Sequence, residues 1–209
     1  MDNSCEPALT WRDYQDSLSL HPVLRHSLIA FVENGYHATS VRDLAKRLGQ
    51  TVPAIYYHYE NKQALLVALL TESIDDLLWR CRNAQEGLDD DPAGRIAALV
   101  ECIALFTSHR RMLAFLDAEI RSLEPENRRQ YVAKRDLVES MMVDAINDGV
   151  ARGVFAVREP RLAARAVIAM CRGIASWYRP GGTMSTEDLA RQYVEFAFDL
   201  VQNDGGSGA

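Results

Sequence analysis

Between Thr39 and Lys62 the chain spells a short capped helix, a glycine stop and a second short helix crowded with tyrosines. Ser40 and Asp43 stand three apart, so each side chain can satisfy the other's backbone N–H in a capping box. Val41, Leu44, Ala45 and Leu48 recur at helical spacing and form a buried stripe, leaving Arg42, Lys46 and Arg47 outside. Gly49 closes the helix, because glycine takes a left-handed C-cap at little steric cost. Thr51 caps the next helix, and Pro53 falls in its first turn, where a missing N–H costs nothing. Two helices joined by a short glycine-containing turn form a helix-turn-helix, whose second helix enters a major groove.

A helix presented to duplex DNA needs two kinds of contact. Donors to phosphate fix its register, and base-edge contacts carry its specificity. The hydroxyls of Ser40, Thr51, Tyr56 and Tyr57, with the ammonium of Lys62, are the expected phosphate partners. Arg42 suits guanine O6 and N7, while Val52, Pro53 and Ala54 offer apolar surface to thymine methyl groups. Tyr59 reads as core packing, and His58 stands between packing and DNA contact.

Charge opposes this reading only mildly. The chain of 209 residues carries a formal net charge of −6. After residue 20, the segment up to Lys62 holds five basic residues (Arg25, Arg42, Lys46, Arg47, Lys62) against three acidic ones (Glu33, Asp43, Glu60). Nonspecific DNA affinity is therefore expected to be weak and quickly lost with salt, since phosphate neutralisation drives it. Pairing two copies doubles the basic count.

These residues resemble the TetR family of bacterial one-component regulators. The resemblance is carried by Asn34-Gly35-Tyr36, then Thr39 to Ala45, Leu48-Gly49, and Ala54 to Leu66, and it covers roughly residues 21 to 66. It implies phosphate contacts from Thr39, Ser40, Thr51, Tyr56, Tyr57 and Lys62, and base contacts from Arg42, Val52, Pro53 and Ala54. The apolar Val52-Pro53-Ala54 run departs from relatives with a polar residue there, which leaves the operator sequence open.

Beyond Lys62 the periodicity stays helical, with no alternating strand pattern, so the expected fold class is all-α. Leu65, Leu66, Leu69, Leu70, Ile74, Leu77, Leu78 and Cys81 make one long apolar stripe. Residues 86–92 read as a loop, and Asp91-Pro92 opens a helix that breaks at His109-Arg110-Arg111. Residues 112–123 read as a further short helix. Pro125 starts a long one that ends near Gly149 or Gly153, and residues 160–178 and 185–202 complete the set. The expected organisation is a flexible arm over 1–17, a helix-turn-helix domain over 18–64, a ligand-binding and dimerisation domain over 65–203, and a disordered tail over 204–209. Cys5, Cys81, Cys102 and Cys171 have no metal-ligand spacing and suggest no disulfide, which fits a cytoplasmic chain. No signal peptide and no apolar run near membrane length is present, so no membrane partner is expected.

The last two helices carry Leu162, Ala166, Ala169, Gly173 and Trp177, then Leu189, Tyr193, Phe196 and Leu200, as one apolar edge each. The family resemblance implies that these edges pair in a homodimer, whose twofold axis would set two recognition helices one DNA turn apart. A regulator of this build needs a ligand with different affinity for two states. Helix bundles place such sites between facing helices. The expected pocket residues are Trp79, Phe106, His109, Met112, Phe115, Glu119, Met141 and Arg172. Met and Phe content fits a hydrophobic effector.

Asp117 to Leu123, with Ser176-Trp177-Tyr178-Arg179-Pro180-Gly181-Gly182, is similar to the body of actinobacterial TetR-type regulators of fatty-acid and steroid catabolism. That similarity implies a transcriptional repressor released by an acyl-CoA thioester, with Arg110, Arg111 or Arg121 meeting its phosphates. Two rivals remain. An enzyme would need a nucleophile elbow, metal spacing or glycine-rich phosphate loop, and none is readable, so no catalytic residue, metal or cofactor is expected. A helical partner-binding module without DNA binding is the alternative that the weak charge keeps open.

Overall fold

The computed structural model describes residues 10–14 and 20–202. Among these residues it is all-helical: α1 (Pro22–Asn34), α2 (Val41–Leu48), α3 (Val52–His58), α4 (Lys62–Ala84), α5 (Pro92–His109), α6 (Arg111–Leu116), a 3₁₀ segment (Asp117–Ser122), α7 (Pro125–Ala151), α8 (Pro160–Trp177) and α9 (Thr186–Gln202). The helix starts are written locally. Proline occupies the first turn of α1, α3, α5, α7 and α8, where its missing N–H has no partner to lose. Asn61 caps α4 by accepting from the backbone N–H of Ala64 at 2.8 Å, and Asp91 caps α5 by accepting from Gly94 at 2.8 Å.

α1, α2 and α3 form a small head around Val23, Leu28, Phe31, Leu44 and Ile55, all buried. α4 joins the head to the body without a break: Leu65, Leu66, Leu69 and Leu70 are buried near its start, and Ile74, Leu78 and Cys81 further along. Burying each such leucine or isoleucine contributes about 1.5–3 kcal/mol, which is what a head this small requires of its neighbour. In the body α5 is the central helix, flanked by α4, α7, α8 and α9, and its buried residues fall on nearly every side. No helix among the described residues is long and apolar enough to cross a membrane.

Three expectations change. Residues 112–123 are not one helix: α6 ends at Leu116 and the chain tightens into 3₁₀ geometry. No side chain of that segment is buried, so it has no apolar stripe to keep it α-helical. The arm is not wholly loose. Within the described residues 10–14, the carbonyls of Trp11 and Asp13 accept from Nη1 of Arg80 at 2.7 and 2.9 Å, and Arg12 pairs with Glu101 at 2.7 Å. Residues 1–9, 15–19 and 203–209, with Cys5, lie outside the described residues. Last, the edge of α9 divides. Leu189 and Tyr193 are buried in the chain's own core, while Phe196 and Leu200 are exposed. On α8, Leu162, Ala166, Ala169, Gly173 and Trp177 are all exposed.

Candidate nucleic-acid interface and effector cavity

The head is built as its sequence dictates. Ser40 Oγ accepts from the N–H of Asp43 at 3.2 Å, and Asp43 Oδ2 accepts the backbone N–H of Ser40 at 3.0 Å and its hydroxyl at 2.6 Å. These bonds hold the Asp43 carboxyl below its ordinary range. Gly49 closes α2 at φ 64°, the left-handed conformation that favours glycine. Thr51 Oγ1 then caps α3 by accepting from Ala54 at 3.4 Å. Ile55 is fully buried and pins α3 to the head, which turns its other positions outward.

Tyr57 is 86 % exposed and Tyr56 48 %. Ser40, Arg42, Thr51, Pro53 and His58 are also exposed, with Val52 and Ala54 half-buried. His58 packs against His21 in a tilted arrangement, ring centroids 4.6 Å apart. Tyr59 is half-buried and packs on the core. Two candidate phosphate donors point inward instead. Thr39 is 3 % exposed, and its hydroxyl lies against the carbonyls of Gly35 and Ala30 at 2.9 and 3.2 Å. Lys62 Nζ donates to the carbonyls of Tyr36 and Thr39, both at 2.9 Å, with that of His37 at 3.5 Å. The carbonyls of the turn after α1 have no helical partner, and these two side chains supply the donors. Thr39 and Lys62 therefore position the turn ahead of α2. Burial lowers the Lys62 ammonium from its ordinary pKa.

A cavity of about 490 Å³ opens in the body among α4, α5, α7, α8 and the 3₁₀ segment. Its apolar wall includes Ile74, Leu77, Ile103, Phe106 and Ile168, and its polar side includes Asp117, Tyr131, Arg135, Glu139, Arg165 and Arg172. The volume lies within the ~300–1,000 Å³ typical of small-molecule sites. Asp117 pairs with Arg172 and accepts the Tyr131 hydroxyl at 2.6 Å. Burial pushes that phenol up to about 12.

Of the expected pocket residues only Phe106 and Arg172 line this cavity. Trp79, Met112 and Phe115 are exposed elsewhere. Trp79 lies two residues past Leu77 on α4, which rotates it off the cavity face at 3.6 residues per turn. His109 stacks on Tyr14 with centroids 4.5 Å apart, and Met141 packs half-buried on the core. Glu119 sits at the head–body junction, where Oε1 accepts the backbone N–H of Tyr36 at 3.3 Å. Nor do the three expected arginines reach the mouth: Arg110 lies 3.5 Å from Asp76, Arg111 donates to the carbonyl of Ala175 at 2.8 Å, and Arg121 is exposed on the 3₁₀ segment. The cavity arginines are Arg135 and Arg165 together with the expected Arg172. Their signal was present as Tyr131, Arg135 and Glu139 at i, i+4, i+8, and Arg165, Ile168, Ala169 and Arg172 at i, i+3, i+4, i+7.

A helix-turn-helix head whose second helix stands outward, carried on a helical body, defines a DNA-binding regulatory protein. Residues 24–69 match the family model for bacterial regulatory proteins of the tetR family, and residues 89–201 match the tetracyclin repressor-like C-terminal domain. The chain belongs to the TetR family of transcriptional regulators. It is 27 % identical over 175 residues to the HTH-type transcriptional repressor KstR2 of Rhodococcus jostii, covering 81 % of this chain and 84 % of that protein. The TetR-family regulator PfmR of Thermus thermophilus superposes with a TM-score of 0.77 at 32 % identity, over 85 % of this chain and 97 % of PfmR. AibR, solved in complex with isovaleryl coenzyme A and operator DNA, shares the fold at a TM-score of 0.73 and 21 % identity, over 83 % of this chain and 95 % of AibR.

Proposed function

We propose that the chain is a cytoplasmic repressor that binds a palindromic operator as a homodimer and leaves it when an apolar effector, an acyl-CoA thioester, enters the body cavity. The observation that carries this reading is the outward face of α3, where two tyrosines stand exposed while Ile55 anchors the helix beneath. Their hydroxyls stand free to donate to phosphate oxygens, and their rings offer apolar surface beside the groove. The proposed contact set is Ser40, Thr51, Tyr56, Tyr57 and His58 for phosphate, with Arg42, Val52, Pro53 and Ala54 toward bases. Residues 18–64 are the proposed DNA-binding domain and 65–203 the sensing and pairing domain.

The exposed stripe of α8 with Phe196 and Leu200 of α9 supports pairing. Small residues there let a partner helix approach closely, and Trp177 supplies area. The acyl-CoA class is supported by three cavity arginines beside an apolar wall and by the isovaleryl coenzyme A that AibR binds. The test is a mobility shift with duplex DNA from the neighbourhood of the chain's own gene, with and without acyl-CoA esters. A specific complex that the esters dissolve supports the reading. Indifference to every duplex at low salt overturns it.

A further inference from the structure

Two charged clusters on the polar side of the cavity are already paired without a ligand. Asp117 pairs with Arg172 of α8 and holds the Tyr131 hydroxyl of α7. Glu139 is held by Arg165 at 3.0 Å and by Arg161 at 3.1 Å. The charged groups facing the space are Arg135, Arg165 and Arg172 against Asp117, Asp136 and Glu139, so the wall is neutral as it stands. A neutral ligand gains little from a pair already satisfied. An anion gains the Arg172 guanidinium together with the Tyr131 phenol only if Asp117 gives them up.

Asp117 is also the member built to move. Tyr131 and Arg172 stand on helices of 27 and 18 residues, whereas Asp117 begins a six-residue 3₁₀ segment with no buried side chain. We propose that the cavity's ligand is an apolar molecule bearing an anionic oxygen group, and that this group replaces the Asp117 carboxylate on Arg172 and Tyr131. Asp117 is thus a tethered competitor that occupies the anion site in the unliganded chain. The planar guanidinium fork fits carboxylate or phosphate oxygens equally well, and Ile74, Leu77, Ile103 and Phe106 receive the apolar part. The exchange reports to the head, because the same segment carries Glu119 and Ser122. Glu119 Oε1 accepts the N–H of Tyr36, and Ser122 Oγ lies 2.9 Å from His37 Nε2.

This inference rests on the cavity being the effector site proposed above, and deepens it by naming the ligand's polar end. The anion is either the carboxylate of a free acid or a phosphate of its coenzyme A ester. Calorimetry on the full chain, without DNA, compares dodecanoate, dodecanoyl-CoA and methyl dodecanoate. Asp117→Asn keeps an acceptor for Tyr131 but removes the competing charge. It is expected to raise affinity for the anionic probe about tenfold and leave the methyl ester within about twofold. A gain for dodecanoate alone assigns a carboxylate, and a gain for the coenzyme A ester alone assigns a phosphate. Tyr131→Phe, which keeps the chain's shape if Asp117→Asn fails to fold, is expected to weaken the anionic probe several-fold and spare methyl dodecanoate. Equal gains for an anionic probe and methyl dodecanoate, weaker anion binding in a folded Asp117→Asn chain, or no binding of any probe overturns the proposal. Loss of duplex binding in the mobility shift would instead sink the operator reading and leave this one standing.

Discussion

The backbone N–H of Tyr36 donates to Oε1 of Glu119 at 3.3 Å, a bond that spans 83 residues of sequence and ties the turn after α1 to the middle of the body's 3₁₀ segment. Glu119 Oε2 also accepts the hydroxyl of Ser122 at 2.8 Å, and the carbonyl of Ser122 accepts from Gln63 at 3.0 Å. Glu119→Ala leaves a half-buried donor unmet. It is expected to lower stability by about 1–2 kcal/mol, read from urea midpoints, and to make duplex affinity respond less to effector. An unchanged effector response shows that the head is coupled to the body elsewhere.

Lys62→Met keeps the apolar stem and removes the donors to Tyr36 and Thr39. Hydrogen exchange should quicken at the amides of residues 36–40, and stability should fall by about 1–3 kcal/mol. Affinity for all duplexes should drop together, because α2 and α3 lose their seat. Protection unchanged at these amides would show that the ammonium does not hold the turn.

Arg42→Ala is expected to relax discrimination at one base pair by about 1–3 kcal/mol while other positions keep their preference. Tyr56→Phe should instead weaken binding evenly across sequences, as loss of a phosphate donor must. Mobility shifts over a set of single-base operator variants separate the two patterns. If Arg42→Ala behaves as Tyr56→Phe does, Arg42 reads no base.

Trp177→Glu and Phe196→Glu place charge on the exposed α8–α9 stripe. Each should shift sedimentation toward the monomer and lose cooperative operator binding, since a buried aromatic anchor at an interface contributes about 2 kcal/mol or more. The monomer's own melting should change little, because both side chains are exposed in the single chain. A dimer that survives both changes pairs through another surface.

The Asp43 cap gives stability a pH dependence. Its carboxyl is held below the ordinary range chiefly by the Ser40 hydroxyl, then by the Ser40 backbone N–H. A depressed folded pKa contributes stability that is present above the unfolded value and lost as pH falls through the folded one. The advantage of the wild type over Asp43→Asn should therefore be full well above the ordinary carboxyl value of about 3.9 and be lost progressively as the pH falls below it. Urea midpoints across that window check it, and an advantage that persists in acid assigns the cap to Ser40 alone.

The head was legible because its signals are local. Ser40, Asp43, Gly49, Thr51 and Pro53 each act on backbone groups within a few residues, so order and spacing carry the whole message. Thr39 and Lys62 misled for the opposite reason. Their partners are main-chain carbonyls, which leave no mark on sequence, and a hydroxyl or ammonium facing inward is spelled like one facing out. Arg80 shows the same blindness, since it is buried by gripping the carbonyls of Trp11 and Asp13. The cavity needed helical phase as well as composition. Once α4 is registered on Ser73, Ile74 and Leu77, Trp79 must turn away. The pairing of Asp117 with Arg172 depends on how α8 lies against the 3₁₀ segment, which no periodicity states.

One consequence follows from the unbroken course of α4. Its 23 residues make a rod roughly 34 Å long. Leu65 and Leu66 lie near the head and Ile74 and Leu77 in the cavity wall, so the cavity and the head share a single lever with no joint between them. Tilting such a lever by about 5° swings its far tip by roughly 3 Å. A molecule wedged against Ile74 need not unfold anything to throw α3 out of register with a groove.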